Sequence, residues 1–162
     1  MEFEEYVASR GQALERFAYV LSGDPHLAQD LTQTALVKAY RRWSWVARAD
    51  RPDLYVRRIL TTSFIDWTRR RSSSERPVAD VPDQVGDRDP ARVVVVRDEV
   101  RRALTTLSPQ QRAVLVLRHY EGYDDASIAE VLHCSAATVR SHASRGLDRL
   151  RDVLADPEGD VP

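Results

Sequence analysis

The chain has 162 residues, 43% of them hydrophobic and 30% charged, enough to bury one modest core or two small ones. A single cysteine, Cys134, excludes an internal disulfide and any cysteine-paired metal site, which fits a reducing compartment. The net charge of -1 announces no polyanionic partner, but its distribution is uneven: residues 1–76 hold 13 basic and 10 acidic side chains, residues 77–162 hold 11 and 15, so a basic working surface is expected in the first half.

In chain order, Phe3 to Leu21 repeats Phe3, Tyr6, Val7, Leu14, Phe17, Ala18 and Leu21 at helical intervals, with Gly11 as an expected break or weak point. Asp24-Pro25 then reads as an N-cap followed by a first-turn proline, opening a helix to about Trp43 with Leu31, Leu36, Ala39, Tyr40 and Trp43 inward. Its outer side carries Asp30, Gln33, Thr34, Lys38, Arg41 and Arg42, either solvated surface or a docking face. Trp43 to Asp53 is expected to be a loop. Aromatic and cationic side chains in such a loop suit unpaired bases, since every base has a π-face and the backbone attracts cations; Trp43 also continues the apolar stripe and fits a core position, whereas Trp45 is more open.

Leu54 to Arg71 reads as a basic helix with Val56, Ile59, Leu60, Ser63 and Trp67 inward and Arg57, Arg58, Thr61, Thr62, Arg69, Arg70 and Arg71 elsewhere. Three terminal arginines suit contact with a phosphate backbone, or capping of the helix dipole. Residues 72–89 are rich in Ser, Pro, Gly and Asp and read as an extended linker, with a reach on the order of 60 Å. A helix follows Asp89-Pro90 and carries Val96, Val100, Ala103, Leu104 and Leu107. Ser108-Pro109-Gln110-Gln111 is a capping box that opens another helix to about Tyr120, ended by Gly122.

Two short helices joined by a tight turn complete the pattern. The first runs from about Asp125 to Leu132. The second is capped by Ser135 and buries Val139, Ala143, Gly146, Leu147 and Leu150. Its other face offers Thr138, Arg140, Ser141, Ser144 and Arg145: arginines able to pair with guanine and short side chains that leave room for base edges, as in a helix-turn-helix reader of the major groove. An ordinary amphipathic hairpin with a solvated face accounts for the same residues. The tail, 156–162, is expected to be disordered. No apolar run is long enough to cross a bilayer, and the acidic start MEFEEYVASR is unlike a signal peptide, so a soluble cytoplasmic protein is expected. The four histidines are scattered, and neither a glycine-rich phosphate loop nor a nucleophile-base pair is present; no catalysis, cofactor or metal is expected.

Together these segments resemble the bacterial RNA polymerase sigma factors of the extracytoplasmic-function class, in its sigma-E-like subgroup. GDPHLAQDLTQTALVKAYRRW, RPDLYVRRIL and FIDWTRRR are similar to the family's sigma-2 domain, and LSPQQRAVLVLRHYEGYDDASIAEVLHCSAATVRSHASRGLDRLR to its sigma-4 domain. The resemblance implies an all-α protein of two small helical domains, 1–71 and 90–155, tethered flexibly through 72–89, with the sites of one duplex shared between them. It implies that Asp30, Gln33, Leu36 and Arg41 dock on core RNA polymerase. Trp43, Trp45, Arg57, Arg58, Thr61, Thr62, Arg69 and Arg70 would melt and read the minus-ten element of promoter DNA, and Thr138, Arg140, Ser141, Ser144 and Arg145 would read the minus-thirty-five element. An anti-sigma factor is a further implied partner, and the free protein is expected to be a monomer. His133 stands where the family usually has glycine, and Thr62 where relatives often carry asparagine. A stand-alone helix-turn-helix regulator and a pure interaction module are the alternative classes.

Overall fold

A computed structural model describes residues 1–73 and 98–155, and every regular element in that range is helical. The expected linker beyond Ser73, the start of the helix after Pro90 and the tail 156–162 lie outside the described residues. In the first half, α1 (Phe3–Ser22), α2 (Pro25–Arg41), a single turn α3 (Trp43–Val46) and α4 (Pro52–Ser73) form a bundle. The second half comprises α5 (Asp98–Thr105), α6 (Pro109–Leu115) continuing into a π turn (Val116–Tyr120), α7 (Asp125–Leu132) and α8 (Ala136–Ala155).

The helix ends follow local chemistry. Asp24 accepts bonds from the backbone amides of His26 at 2.9 Å and Leu27 at 3.3 Å, fixing the start of α2. Ser108 and Gln111 form both arms of the capping box, at 3.2 and 3.4 Å. Asp124 caps α7 through Ser127 N at 2.8 Å, and Ser135 caps α8 through Thr138 N at 3.1 Å. Gly11 does not break α1: burial of Leu14, Phe17, Ala18 and Leu21 beyond it outweighs a local glycine cost of about 1 kcal/mol. The segment 43–53 is likewise not wholly loop, since Trp43–Val46 closes a helical turn over buried Val46.

His133 ends α7 in the left-handed region, φ 53 and ψ 49, among the described residues the sole non-glycine with positive φ. Histidine tolerates that backbone better than a β-branched residue, for which it is an outlier. His133→Val is accordingly expected to cost about 1–2 kcal/mol and to lower the melting temperature, with His133→Gly close to wild type; equal melting of all three in circular dichroism would mean that the turn is not held.

The buried residues form one cluster running from Tyr6 to Ala143 through both halves. In this structure the halves are therefore in contact rather than standing apart. α4 is the shared element, packed on α1 and α2 on one side and on α6 and α7 on the other. That double packing widens its buried arc beyond the single expected stripe: Leu54, Val56, Leu60 and Phe64 are buried, and so are Arg57 and Thr61. Ile59, Ser63 and Trp67, expected inward, are only half-buried.

Candidate nucleic-acid interface

The second helix of the helix-turn-helix, α8, presents Thr138, Arg140, Ser141, Ser144 and Arg145, all exposed. Thr138, Ser141 and Arg145 fall on one line of the helix and Arg140 and Ser144 on the next, so their side chains share one outward arc. The opposite arc is held down by Val139, Ala143 and Gly146. A Cβ at Gly146 would stand 3.0 Å from Leu115 Cδ1, so glycine lets α8 lie close against α6. Beside the reading arc opens a groove of about 710 Å³ whose lining includes Arg118, Tyr123, Asp125, Arg140, Ser144 and Arg151. The outward arc of the helix offers guanidinium donors and short hydroxyls, the donor set that base-edge readout needs.

The residues expected at the minus-ten element divide into two groups. Trp45 is 60% exposed, its ring inclined at 65° to that of Tyr55 with centroids 5.0 Å apart. Thr62, Arg69 and Arg70 are exposed, Arg69 pairing with Asp66 at 2.7 Å. Trp43 is half-buried: its Nε1 donates to Met1 O at 2.9 Å and its ring lies 5.3 Å from Tyr6 and 5.4 Å from Phe3. Arg58 is half-buried and bonds His133 of the helix-turn-helix turn. Arg57 and Thr61 are 3% and 0% exposed, so in this arrangement a charge and a hydroxyl expected to face DNA lie inside the protein.

Arg57 is held by an ion network that joins the halves. Its Nη1 lies 2.6 Å from Asp53 and its Nε donates to Glu121 at 2.8 Å, while the Tyr6 hydroxyl donates to Asp53 at 2.9 Å. Nearby, Arg51 donates to the Ser127 hydroxyl at 2.6 Å and lies over the Tyr123 ring at 5.6 Å. Burial pulls the Arg57 pKa down, but Glu121 and Asp53 pull harder, and the guanidinium is held above its usual range. Burial raises the Tyr6 hydroxyl, helped by Asp53, and raises the Glu121 carboxyl against the pull of Arg57. A carboxyl held above its ordinary range contributes stability that is complete below that range and declines as pH rises through the raised value. Mild acidification should therefore leave this contact intact. Melting at about pH 5.5 is expected to be no lower than at about pH 7.5 on account of Glu121; a fall that Glu121→Gln abolishes would reverse that sign.

The residues expected to dock on polymerase lie on α2, with Asp30, Gln33 and Arg41 exposed and Leu36 half-buried. Between them the structure exposes two apolar side chains, Val37 at 51%, not singled out from the sequence, and Tyr40 at 60%. Tyr40, expected inward, instead caps the helix surface with its ring 5.0 Å from Phe3. Glu121, Ser127 and Arg51, which join the halves, were also missed; an acidic residue after a π turn and a serine inside a short helix carry no local signal for a long-range partner.

Residues 6–74 match the family model Sigma-70 region 2 and residues 97–150 match Sigma-70, region 4. The RNA polymerase sigma-E factor of Streptomyces avermitilis is 41% identical over 161 residues, covering 99% of this chain and 89% of that one. The chain belongs to the sigma-70 family. The ECF RNA polymerase sigma factor SigE of Mycolicibacterium smegmatis is 32% identical, covering 94% of this chain and 62% of that one. The sigma-E factor of Streptomyces coelicolor is 40% identical, with 95% of this chain and 86% of that one covered. Among solved structures, the sigma factor RpoE in complex with the anti-sigma factor NepR from Bartonella quintana superposes with a TM-score of 0.72 at 26% identity, covering 96% and 98% of the two chains. As a member of this family the chain is a sigma factor that directs promoter-specific initiation of transcription.

Proposed function

We propose that the division of labour within this sigma factor follows the exposed surfaces described above. α2 docks on core RNA polymerase through Asp30, Gln33, Leu36 and Arg41, and Val37 and Tyr40 supply apolar area within that polar rim. Docking faces of this composition, apolar in the middle and charged outside, are what protein interfaces favour. α8 reads the minus-thirty-five element in the major groove through Thr138, Arg140, Ser141, Ser144 and Arg145, where each bidentate arginine contact discriminates by about 1–3 kcal/mol.

The region from Trp43 to Arg70 opens and holds the minus-ten element. Separating strands needs no covalent step: an unstacked base is held by an aromatic face and by cations along its backbone. Trp45 on Tyr55 provides the face, and Arg58, Arg69 and Arg70 the cations, with Thr62 within reach of a base edge and Arg57 and Thr61 engaged once uncovered. The polymerase performs the chemistry, and the sigma factor acts in the cytoplasm as a monomer until it binds. An anti-sigma factor is a second partner, by similarity to the solved complex. The observation that carries this reading is the exposed arginine and hydroxyl arc of α8 in a chain that also matches region 2.

A gel shift on promoter fragments tests it. The protein with core polymerase is expected to retard the fragment, and the protein alone to leave it free at the same concentration. Tight, salt-sensitive binding by the protein alone would instead make it a stand-alone regulator.

A further inference from the structure

We infer that the first turns of α1 brace the segment that meets the minus-ten strand: Phe3 and Tyr6 are positioning residues that pin both stems of residues 43–53, and Trp43 is their anchor, so that Trp45 is the indole presented to DNA. The inference rests on the assignment of this segment to the minus-ten element above. Three observations carry it. First, Trp43 is engaged inside the protein. It is half-buried, its Nε1 donates to Met1 O at 2.9 Å, and its ring centroid lies 5.4 Å from that of Phe3 and 5.3 Å from that of Tyr6. An indole whose donor is satisfied and whose ring is packed in this way fixes the backbone that carries it.

Second, one helix holds both stems. Tyr6, 2% exposed, lies against Trp43 at the start of the segment and donates its hydroxyl to Asp53 at the end of it, at 2.9 Å. Phe3 touches Trp43 edge-on and Tyr40 likewise, at 5.0 Å. Phe3 itself is half-buried at the rim, while Leu14, Phe17 and Leu21 give α1 a core of its own further along. Third, the anchored ring sets the direction of the exposed one. Trp43 and Trp45 share the single turn α3, in which the amides of Trp45 and Ala47 donate to Arg42 O at 2.9 Å and Trp43 O at 2.8 Å. Side chains two residues apart on a helix point about 200° apart, so an inward Trp43 turns Trp45 outward, to 60% exposure. A ring held in place beforehand loses less freedom when it captures an unstacked base, which favours opening of the promoter.

Promoter opening by preassembled holoenzyme, read from the fluorescence of 2-aminopurine placed in the minus-ten strand, tests the brace. Phe3→Ala is expected to slow opening about tenfold, as the fraction of protein with Trp45 correctly placed falls. Tyr6→Phe, which frees only the Asp53 stem, should slow it less but in the same direction, and Phe3→Tyr, which keeps the ring, should open at the wild-type rate. Affinity for core polymerase and closed binding to the upstream element should not change, and melting should stay within about 5 °C of wild type. Adding Phe3→Ala to Trp43→Ala should slow opening no further than Trp43→Ala alone, because Phe3 acts through Trp43. Wild-type opening by both Phe3→Ala and Tyr6→Phe, additive losses with Trp43→Ala, or a loss of core affinity that accounts for the slower opening would overturn the brace. Trp45→Ala separates this inference from the reading beneath it. If Trp45→Ala slows opening and Phe3→Ala does not, the brace alone falls; if Trp45→Ala opens as wild type does, the minus-ten assignment of the segment falls and the brace with it.

Discussion

Replacing Arg140 and Arg145 together with alanine should weaken holoenzyme binding to a promoter fragment by on the order of a hundredfold, from two contacts of about 1–3 kcal/mol each. Both side chains are exposed on α8, whose buried arc of Val139, Ala143 and Gly146 is untouched, so the helix and its melting behaviour should not change. The loss should be confined to fragments carrying the upstream element. Arg70→Ala is the contrast: exposed at the end of α4, it should weaken all sequences alike and flatten the salt dependence by about one phosphate's worth. Filter binding at several salt concentrations measures both. Equal losses for Arg140→Ala on every upstream sequence would reduce that residue to a phosphate contact.

Phe64→Ala should lower stability by about 3–5 kcal/mol, a large part of a domain's usual total. Phe64 is 1% exposed on α4, and the Arg112 guanidinium of α6 lies 5.3 Å from its ring centroid. The same Arg112 donates to Leu21 O at 3.1 Å and Thr105 O at 3.3 Å, and burial holds its pKa below the usual range. Removing the ring leaves a cavity where α4, α6 and the end of α1 meet, and strips a buried cation of its aromatic partner. At about 2–4 °C per kcal/mol for a chain of this size, the melting temperature should fall by about 10 °C. A change of under about 2 °C in circular dichroism would mean that this junction is not packed.

What was legible in the sequence was what depends on near neighbours. Asp24-Pro25, the Ser108–Gln111 box and Ser135 each place a polar acceptor beside free amides, and each caps the helix it was expected to cap. The span of α7 followed from periodicity in the same way, as did the burial of Val139, Ala143 and Gly146 on α8, whereas Leu147 and Leu150, expected beside them, are only half-buried. Arg57 and Thr61 show where this stops. Periodicity tells which residues share a face, but α4 has two covered faces, and only tertiary packing decides that a guanidinium sits in one of them with Asp53 and Glu121 as its counter-charges. Tyr40 fails in the opposite sense: it was expected inside, yet α2 is already covered through Leu27, Leu31 and Ala35, and its far side, with Val37, is left exposed.

The reading arc of α8 was legible as a list of residues and not as an accessible surface; its exposure depends on α7 packing onto α4 rather than over α8's outer face. The αL turn at His133 sets that geometry, and the residue type alone, without the glycine usual there, gave only a cost to be expected.

Run-off transcription over genomic fragments, with core polymerase in the presence and absence of this protein, bears most directly on its role. Discrete transcripts that appear only when the protein is added, share paired upstream sequences, and vanish with the Arg140 and Arg145 replacements are the expected result. Transcription that is the same with and without the protein would contradict its assignment as the factor that selects the promoter.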